Sequence, residues 1–277
     1  MKAQGALAAS RVRPGGLRPA ARSHRAPAAR RTPAAARTAA AAATATTAGD
    51  AASQLLSYRS VTALPDGGRI VITALQPDWL EPCADLLADS FIAAAGLPAY
   101  GRFVRVRIGA YLREHIDLPP KALVLTAVVE GQPGGGGGAE RGSGGDSSGA
   151  STSSSGGGGG GAVLVGTAEV SFDRSTRSQY LTLNPPAGCA YICNCAVDPA
   201  WRRRGVAAAL MRALEEAAVI AGERYAYLHL RFKDDAEAGA LYRGLGYEEC
   251  QRDGFWLVLL GMERRWLMRK ELPPKAG

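Results

Sequence analysis

Arginine, glycine and a helix start meet in the stretch WRRRGVAA, residues 201–208. Asp198-Pro199 ends the run before it, and a long Ala- and Leu-rich helix, expected over 203–221, follows at once. A helix N-terminus leaves backbone N–H groups without partners and carries partial positive charge. Gly205 would let a large anion come close to that backbone, with Arg202, Arg203 and Arg204 adding charge and donors beside it. Ala207 and Ala208 keep the first turn free of bulk. A pyrophosphate would suit such a turn. A tight connection with a basic first turn would use the same residues, and pattern alone leaves the two readings open.

Cysteine chemistry is the next candidate. Cys83, Cys189, Cys193, Cys195 and Cys250 are the five cysteines, and three fall in a C-x3-C-x-C cluster with His229 as the one histidine in that half. That spacing is poor for zinc, so no metal is expected. Cys193 and Cys195 lie in AYICNCAV, which reads as a buried strand with small apolar thiols; a redox-reactive thiol is the lesser reading. An odd count argues against a disulfide framework.

The elements that must position these residues emerge once the N-terminus is set apart. Residues 1–50 hold nine basic residues and one acid, leaving 24 basic and 24 acidic residues in the rest. The formal charge of +8 therefore belongs to this segment and implies no nucleic-acid partner. Rich in Ala, Arg, Thr and Pro and without an apolar h-region, residues 1–50 have the composition of an organelle transit peptide; mitochondrial and plastid leaders overlap in composition. No long uncharged apolar run suggests a membrane span.

After a lead-in at 51–68, strand composition appears at 69–75. Helical patterns follow at 78–96 and about 100–116, where Phe103, Val106, Ala110 and Tyr111 are expected to share the buried face. A strand is expected at 122–131. The segment 132–161 is almost entirely Gly and Ser and reads as an expanded, disordered hairpin loop, which loop-closure entropy tolerates. Strands at 162–172 and 190–197, the 203–221 helix, a strand at 225–232 and a helix at 235–246 follow. FWLVLL and RWLMRKEL are two more strand candidates. This alternation implies α/β layering around a mixed sheet.

Two stretches carry a family resemblance. Arg202, Gly205 and Ala207 match the acyl-CoA signature [Q/R]-x-x-G-x-[G/A] of the GNAT superfamily of N-acetyltransferases. Ala238, Leu241, Tyr242, Gly246 and Tyr247 match its second signature, A-x-x-L-Y-x-x-x-G-[F/Y]. The chain resembles that family over about 69–271, and AYICNCAV with the leader looks most like its plastid-targeted branch, acting on protein N-termini and lysines. The resemblance implies an acetyltransferase domain over 69–273 with a GNAT-like, largely antiparallel twisted sheet, flanked by helices and splayed between the fourth and fifth strands. It implies acetyl-CoA as co-substrate. The backbone of Cys195, Ala196 and Val197 would take the pantetheine arm. The amides of Arg203, Arg204, Gly205, Val206, Ala207 and Ala208 would take the pyrophosphate. Tyr242 would protonate the departing thiolate.

Two positions depart from the family pattern. Asp235 stands where an Asn usually contacts CoA, and a carboxylate cannot donate as an amide does; an N-cap is its other role. Some members place a Glu base five residues earlier, where this chain has Leu230 with His229 adjacent. Strand alternation puts neighbours on opposite faces, so His229 serves only if a one-residue shift intervenes, and a water relay is the preferred route. The acceptor implied is a protein N-terminal α-amine, a lysine ε-amine or both, in the chloroplast or alternatively the mitochondrion. A small-molecule N-acetyltransferase and a non-catalytic acyl-CoA-binding module are the competing readings. Oligomeric state is not legible.

Overall fold

The computed structural model describes residues 49–64, 68–95, 98–129 and 161–275. The transit-peptide expectation and the Gly/Ser tract fall almost wholly outside them. Residues 49–56 are helical (α1). The strands are β1 Arg59–Ala63, β2 Arg69–Ala74, β3 Ala122–Val129, β4 Val163–Ser171, β5 Ala190–Val197, β6 Tyr225–Arg231, β7 Glu248–Arg252 and β8 Arg265–Glu271. The helices after α1 are α2 Leu80–Ala95, α3 Gly101–His115, α4 Val206–Ile220, α5 Ala240–Gly244 and α6 Trp256–Leu259.

All eight strands form one sheet in the order β1-β2-β3-β4-β5-β6-β8-β7. Every pairing is antiparallel except β5 with β6. β3, apolar but for Thr126 and buried almost throughout, is a central strand covered on both faces. One face packs on α4, whose buried residues Val206, Ala209, Leu210, Ala213, Leu214 and Ala217 recur at helical spacing. The other packs on α2 and α3 through Leu80, Cys83, Ala84, Leu87 and Leu112. Val129 pairs with Val163, so the chain leaves β3 and enters β4 side by side, as a hairpin requires.

The mixed, largely antiparallel sheet agrees with expectation, and so does the splay. The parallel pair β5–β6 holds only at Ala190–Ile192 against Ala226–Leu228. The remainder of the two strands diverges. Because β1 adds a strand ahead of those anticipated, the parting pair is the fifth and sixth.

Four local expectations are corrected. Residues 51–68 are more than a lead-in: β1 pairs along β2, and Leu55, Tyr58 and Leu64 lie in the core. FWLVLL is not a strand. β8 already has β6 and β7 on its two edges, so this segment closes its own hydrogen bonds as the short α6, with Leu257 buried and its other residues exposed. The edge strand is instead β7, EECQR, exposed throughout and devoid of the alternation that would reveal it. On α3 the buried positions are Gly101, Gly109, Leu112 and His115, whereas Phe103 and Val106 are 58% and 65% exposed. Three of the four residues chosen for the inner face, Ala110 among them, therefore point to water.

Candidate active site

The site lies where β5 and β6 part. Beyond Ile192, β5 loses β6 as a neighbour but keeps β4, and there it bulges: β4 advances from Thr167 to Glu169 while β5 covers Cys193 to Ala196. Asn194 takes a left-handed φ of 52°. The bulge reverses the strand's alternation. Cys195 and Val197 pack toward the α4 side of the core, and Ala196 packs with α2. Among the described strands, no neighbour pairs with the edge of Cys195–Val197 that faces β6.

The chain then turns sharply. The Asp198 carboxylate accepts from the Ala200 N–H at 2.8 Å, capping a short 3-10 turn at Pro199–Trp201. The Nε–H of Arg202 donates to the Val197 carbonyl at 3.2 Å, tying the turn to the end of β5. Arg203 and Gly205 are both left-handed, with φ of 64° and 89°. Gly205 is the residue before α4, and no side chain caps the helix. The first intrahelical bond runs from Ala209 N–H to Gly205 O, so the N–H groups of Val206, Ala207 and Ala208 open toward solvent without helical acceptors. Arg203 is exposed, and the Arg204 guanidinium lies 4.1 Å over the Trp201 ring. The helix thus begins at 206, later than expected, because the tight arginine turn occupies 202–205.

Gly166 sets how closely this helix approaches the sheet. A Cβ there would meet Leu210 Cδ1 at 2.9 Å and Val206 Cγ1 at 3.1 Å. It pairs with Val197, directly behind the site. Nothing in a single sequence distinguishes this glycine from any other in a strand.

Tyr242 reaches the same region from the opposite side. The expected helix at 235–246 is in fact a π turn, Asp235–Gly239, followed by α5. Gly246, at φ 89°, ends it; its N–H donates to Arg243 O and that of Tyr247 to Tyr242 O, fixing the backbone at Tyr242. The half-buried Tyr242 ring packs on the core with Cys195, Val197 and Ala238. Burial, then the Cys195 thiol and Asp234, push its phenol above the ordinary range, so it keeps its proton. Asp235 is the first residue of the π turn, after Asp234 in the cap position, which does not fit the N-cap expected of Asp235 itself.

The π turn resolves the register problem. A π turn holds one residue more than an α turn. Counting back from Tyr242 at regular spacing lands on Leu230, whose side chain is buried on the α4 side. His229, one residue earlier, faces the other way and meets Tyr191 of β5: the Tyr191 hydroxyl lies 2.9 Å from His229 Nδ1. His229 Nε2 lies 2.8 Å from the Leu183 carbonyl, so Nε2 carries the proton and Nδ1 accepts from Tyr191. The Tyr180 hydroxyl, 3.1 Å away, then donates to Tyr191. Burial lowers His229 to about 4, which keeps it neutral. Tyr180 and Tyr191 escaped the sequence reading, since the loop holding Tyr180 and the pairing of β5 with β6 are tertiary facts.

The cysteines are not poised for covalent catalysis. All five are free, and burial holds each thiol above its ordinary value, Cys195 at about 11. Among the described residues no His, Cys, Asp and Glu group could hold a metal ion, and no helix is long and apolar enough to cross a membrane. The cleft therefore combines an anion-accepting helix start, an unpaired strand edge, a protonated phenol and a neutral Tyr–His pair.

Comparison with known proteins finds chains similar to this one. Residues 158–247 match the model of the acetyltransferase (GNAT) family. The chain is 29% identical over 212 residues to GCN5-related N-acetyltransferase 5, chloroplastic, of Arabidopsis thaliana, an alignment covering 76% of this chain and 60% of that protein. Among solved structures, the GNAT domain of S. lividans PAT matches with a TM-score of 0.47 at 14% identity, over 77% of this chain and 97% of that one. Arabidopsis thaliana NAA60 in complex with a bisubstrate analogue matches with a TM-score of 0.45 at 18% identity, over 73% and 98%.

Proposed function

From the premise that the chain carries an acetyltransferase domain of the GNAT family, we propose that it is an acetyl-CoA-dependent N-acetyltransferase of protein amines, acting in the plastid. The observation that carries this reading is the meeting, in one cleft, of the unpaired edge of Cys195–Val197, the uncapped first turn of α4 and Tyr242. Acetyl-CoA supplies an acetyl group activated as a thioester. The N–H groups of Val206, Ala207 and Ala208, with Arg203, Arg204 and the clearance at Gly205, hold its pyrophosphate. The backbone of Cys195, Ala196 and Val197 orients the pantetheine arm and polarises the thioester carbonyl.

Transfer is direct. The neutral acceptor amine forms the new N–C bond as the C–S bond breaks. Tyr242 gives the departing sulfur its proton. The proton shed by the amine passes to His229 Nδ1 through the Tyr191 hydroxyl, directly or across a water. The plastid location is supported by the name of the Arabidopsis relative and the composition of residues 1–50, and the acceptor class, α-amines of N-termini and ε-amines of lysines, by the resemblance of AYICNCAV and the leader to the plastid-targeted branch of the family.

A peptide mixture carrying both free N-termini and lysines, incubated with acetyl-CoA and read by mass spectrometry, tests the acceptor class. Acetylation of either peptide amine supports it. Activity on arylalkylamines, diamines or amino acids alone would move the enzyme to small-molecule substrates. CoA binding with no acetylation of any amine would leave a binding module. A fluorescent fusion of residues 1–50 that remains outside chloroplasts would overturn the location.

A further inference from the structure

Behind the bulge of β5 lies a buried polar cluster that the proposed chemistry leaves unused. Glu169 of β4 is 1% exposed. The Tyr111 hydroxyl of α3 lies 2.6 and 2.7 Å from its two carboxylate oxygens, and the Asn194 amide donates to Oε2 at 2.8 Å. The same amide lies 3.3 Å from the Tyr111 hydroxyl. The Tyr111 and His115 rings stack at 3.8 Å, and His115 Nδ1 bonds the Tyr111 carbonyl at 2.8 Å. His115 Nε2, without a hydrogen-bond partner, faces Glu169 Oε1 at 3.7 Å.

Two requirements coincide here. A carboxylate withdrawn from water is expensive unless its oxygens are bonded. A non-glycine residue in the left-handed region needs local hydrogen bonds to settle there, and asparagine is suited to it because its amide can supply them. The side chain of the left-handed residue, Asn194, is one of the donors to that carboxylate. The bulge sits at Asn194, between the Glu169↔Cys193 and Thr167↔Ala196 pairs of the ladder. What the bond secures is the reversed alternation beyond it, which turns Cys195 and Val197 toward the α4 side and leaves their outer edge open.

We infer that Glu169, supported by Tyr111, is a positioning residue that holds Asn194 in its left-handed conformation and thereby sets the cofactor-facing backbone of Cys195–Val197. The inference rests on the acyl-CoA reading of that strand. It also ties α3 to the same backbone through Tyr111. The role requires acceptor oxygens, not negative charge. Glutamine at 169 keeps an oxygen for Asn194 and turns an amide toward the open Nε2 of His115. Methionine keeps the length and abandons both donors.

The test is steady-state kinetics and CoA calorimetry on Glu169→Met, Glu169→Gln, Asn194→Ala and the Met/Ala double variant, with thermal melts. A buried partner left without its hydrogen bond predicts a fall of about tenfold or more in kcat/KM for acetyl-CoA for Glu169→Met and for Asn194→Ala. The acceptor KM should stay within about threefold, and the double variant should be no worse than the poorer single one, as a shared bond demands. Glu169→Gln should stay within about threefold of the parent protein. Unchanged kinetics in Glu169→Met, additive losses in the double variant, or a Gln variant as impaired as the Met variant would each overturn the inference, the last by showing that the charge matters. Should Glu169→Met fail to fold, Tyr111→Phe serves: it keeps the stacked ring, and a normal kcat/KM for acetyl-CoA there would be equally fatal. A parent protein that binds no CoA would instead sink the acyl-CoA reading, and this inference with it.

Discussion

The Tyr191 hydroxyl and His229 Nδ1 lie 2.9 Å apart, a diagonal contact from the middle of the three rungs that join β5 to β6 to the residue just past the last rung on β6. The pair bridges the strands as they begin to part, so its two members come from opposite walls of the cleft. Its polarity is set from outside, by the Leu183 carbonyl at Nε2 and the Tyr180 hydroxyl at Tyr191. A relay of fixed direction follows: Tyr180 to Tyr191 to His229.

Neutral His229 should give the protein an acid-sensitive stability. Burial lowers its pKa from 6.5 to about 4, with Arg265 acting in the same direction and Leu183 and Asp253 opposing. Between those values the unfolded chain binds a proton that the folded one refuses. The stabilisation is complete above about 6.5 and is lost as pH falls toward 4, to a total of up to about 3 kcal/mol. Urea unfolding at pH 7.5, 5.5 and 4.5 should show a steeper decline in the parent protein than in His229→Gln. Parallel declines would mean that His229 titrates normally.

Tyr242 and Tyr191 are assigned to different protons, so their losses should add. Tyr242→Phe and Tyr191→Phe keep both rings and should each lower kcat by about 10²-fold, the usual contribution of a positioned acid or base. CoA affinity should hold in both. A double variant no slower than either single one would place both hydroxyls on one proton path and remove Tyr242 as the acid.

Gly205 is held at φ 89°, and any L side chain there is strained. Gly205→Ala should cost about 1–2 kcal/mol in unfolding free energy while leaving measurable CoA binding. Gly205→Glu adds bulk and negative charge beside the N–H groups of α4 and should weaken CoA binding by roughly tenfold or more. Calorimetry with equal CoA affinity in the parent and Glu variants would place the phosphates elsewhere.

Gly166 should prove as sensitive as Gly205 for a steric reason. Gly166→Val forces branches against Leu210 and Val206, which a Cβ alone already crowds at 2.9 and 3.1 Å. Overpacking of this kind costs about 1–3 kcal/mol, and the start of α4 must lift from the sheet to relieve it. A raised KM for acetyl-CoA with an unchanged acceptor KM is the expected signature. If the melting temperature falls while both KM values stay put, α4 does not transmit the strain to its first turn.

The legible parts of the fold are those where burial imposes a period. β5, β6 and β8 carry apolar residues because they are covered, and α4 repeats its small and aliphatic residues every three or four positions. β7 is a strand only because β8 offers it an edge, and EECQR contains nothing that requires one. α6 inverts the case: six apolar residues read as a strand, yet just one is needed inside. On α3, Phe103 and Val106 mislead because the buried side is made by Gly101, Gly109, Leu112 and His115, and only Leu112 among these is a large apolar residue that would mark it. At the site, the arginine–glycine turn and Tyr242 stand out by residue type and spacing. The one-residue shift on which His229 depends corresponds to the π turn, which leaves no mark in a pattern of residue types. Glu169 and Gly166 act through partners dozens of residues away, which local spacing does not encode.

The placement of Leu55, Tyr58 and Leu64 in the core has a consequence for the proposed removal of residues 1–50. Leu55 is fully enclosed, and the Tyr58 hydroxyl bonds Glu216 of α4 at 2.6 Å, on the helix whose opening turn faces the cleft. A peptidase trimming the N-terminus meets a physical stop here. A cut at about 50 leaves these anchors in place, whereas one a few residues further on would strip the inner side of α4 and expose the apolar residues beneath it. Any shortening of the chain from its N-terminal side is thus bounded by the fold itself: the last residue that can be discarded is the one before α4 begins to feel the loss.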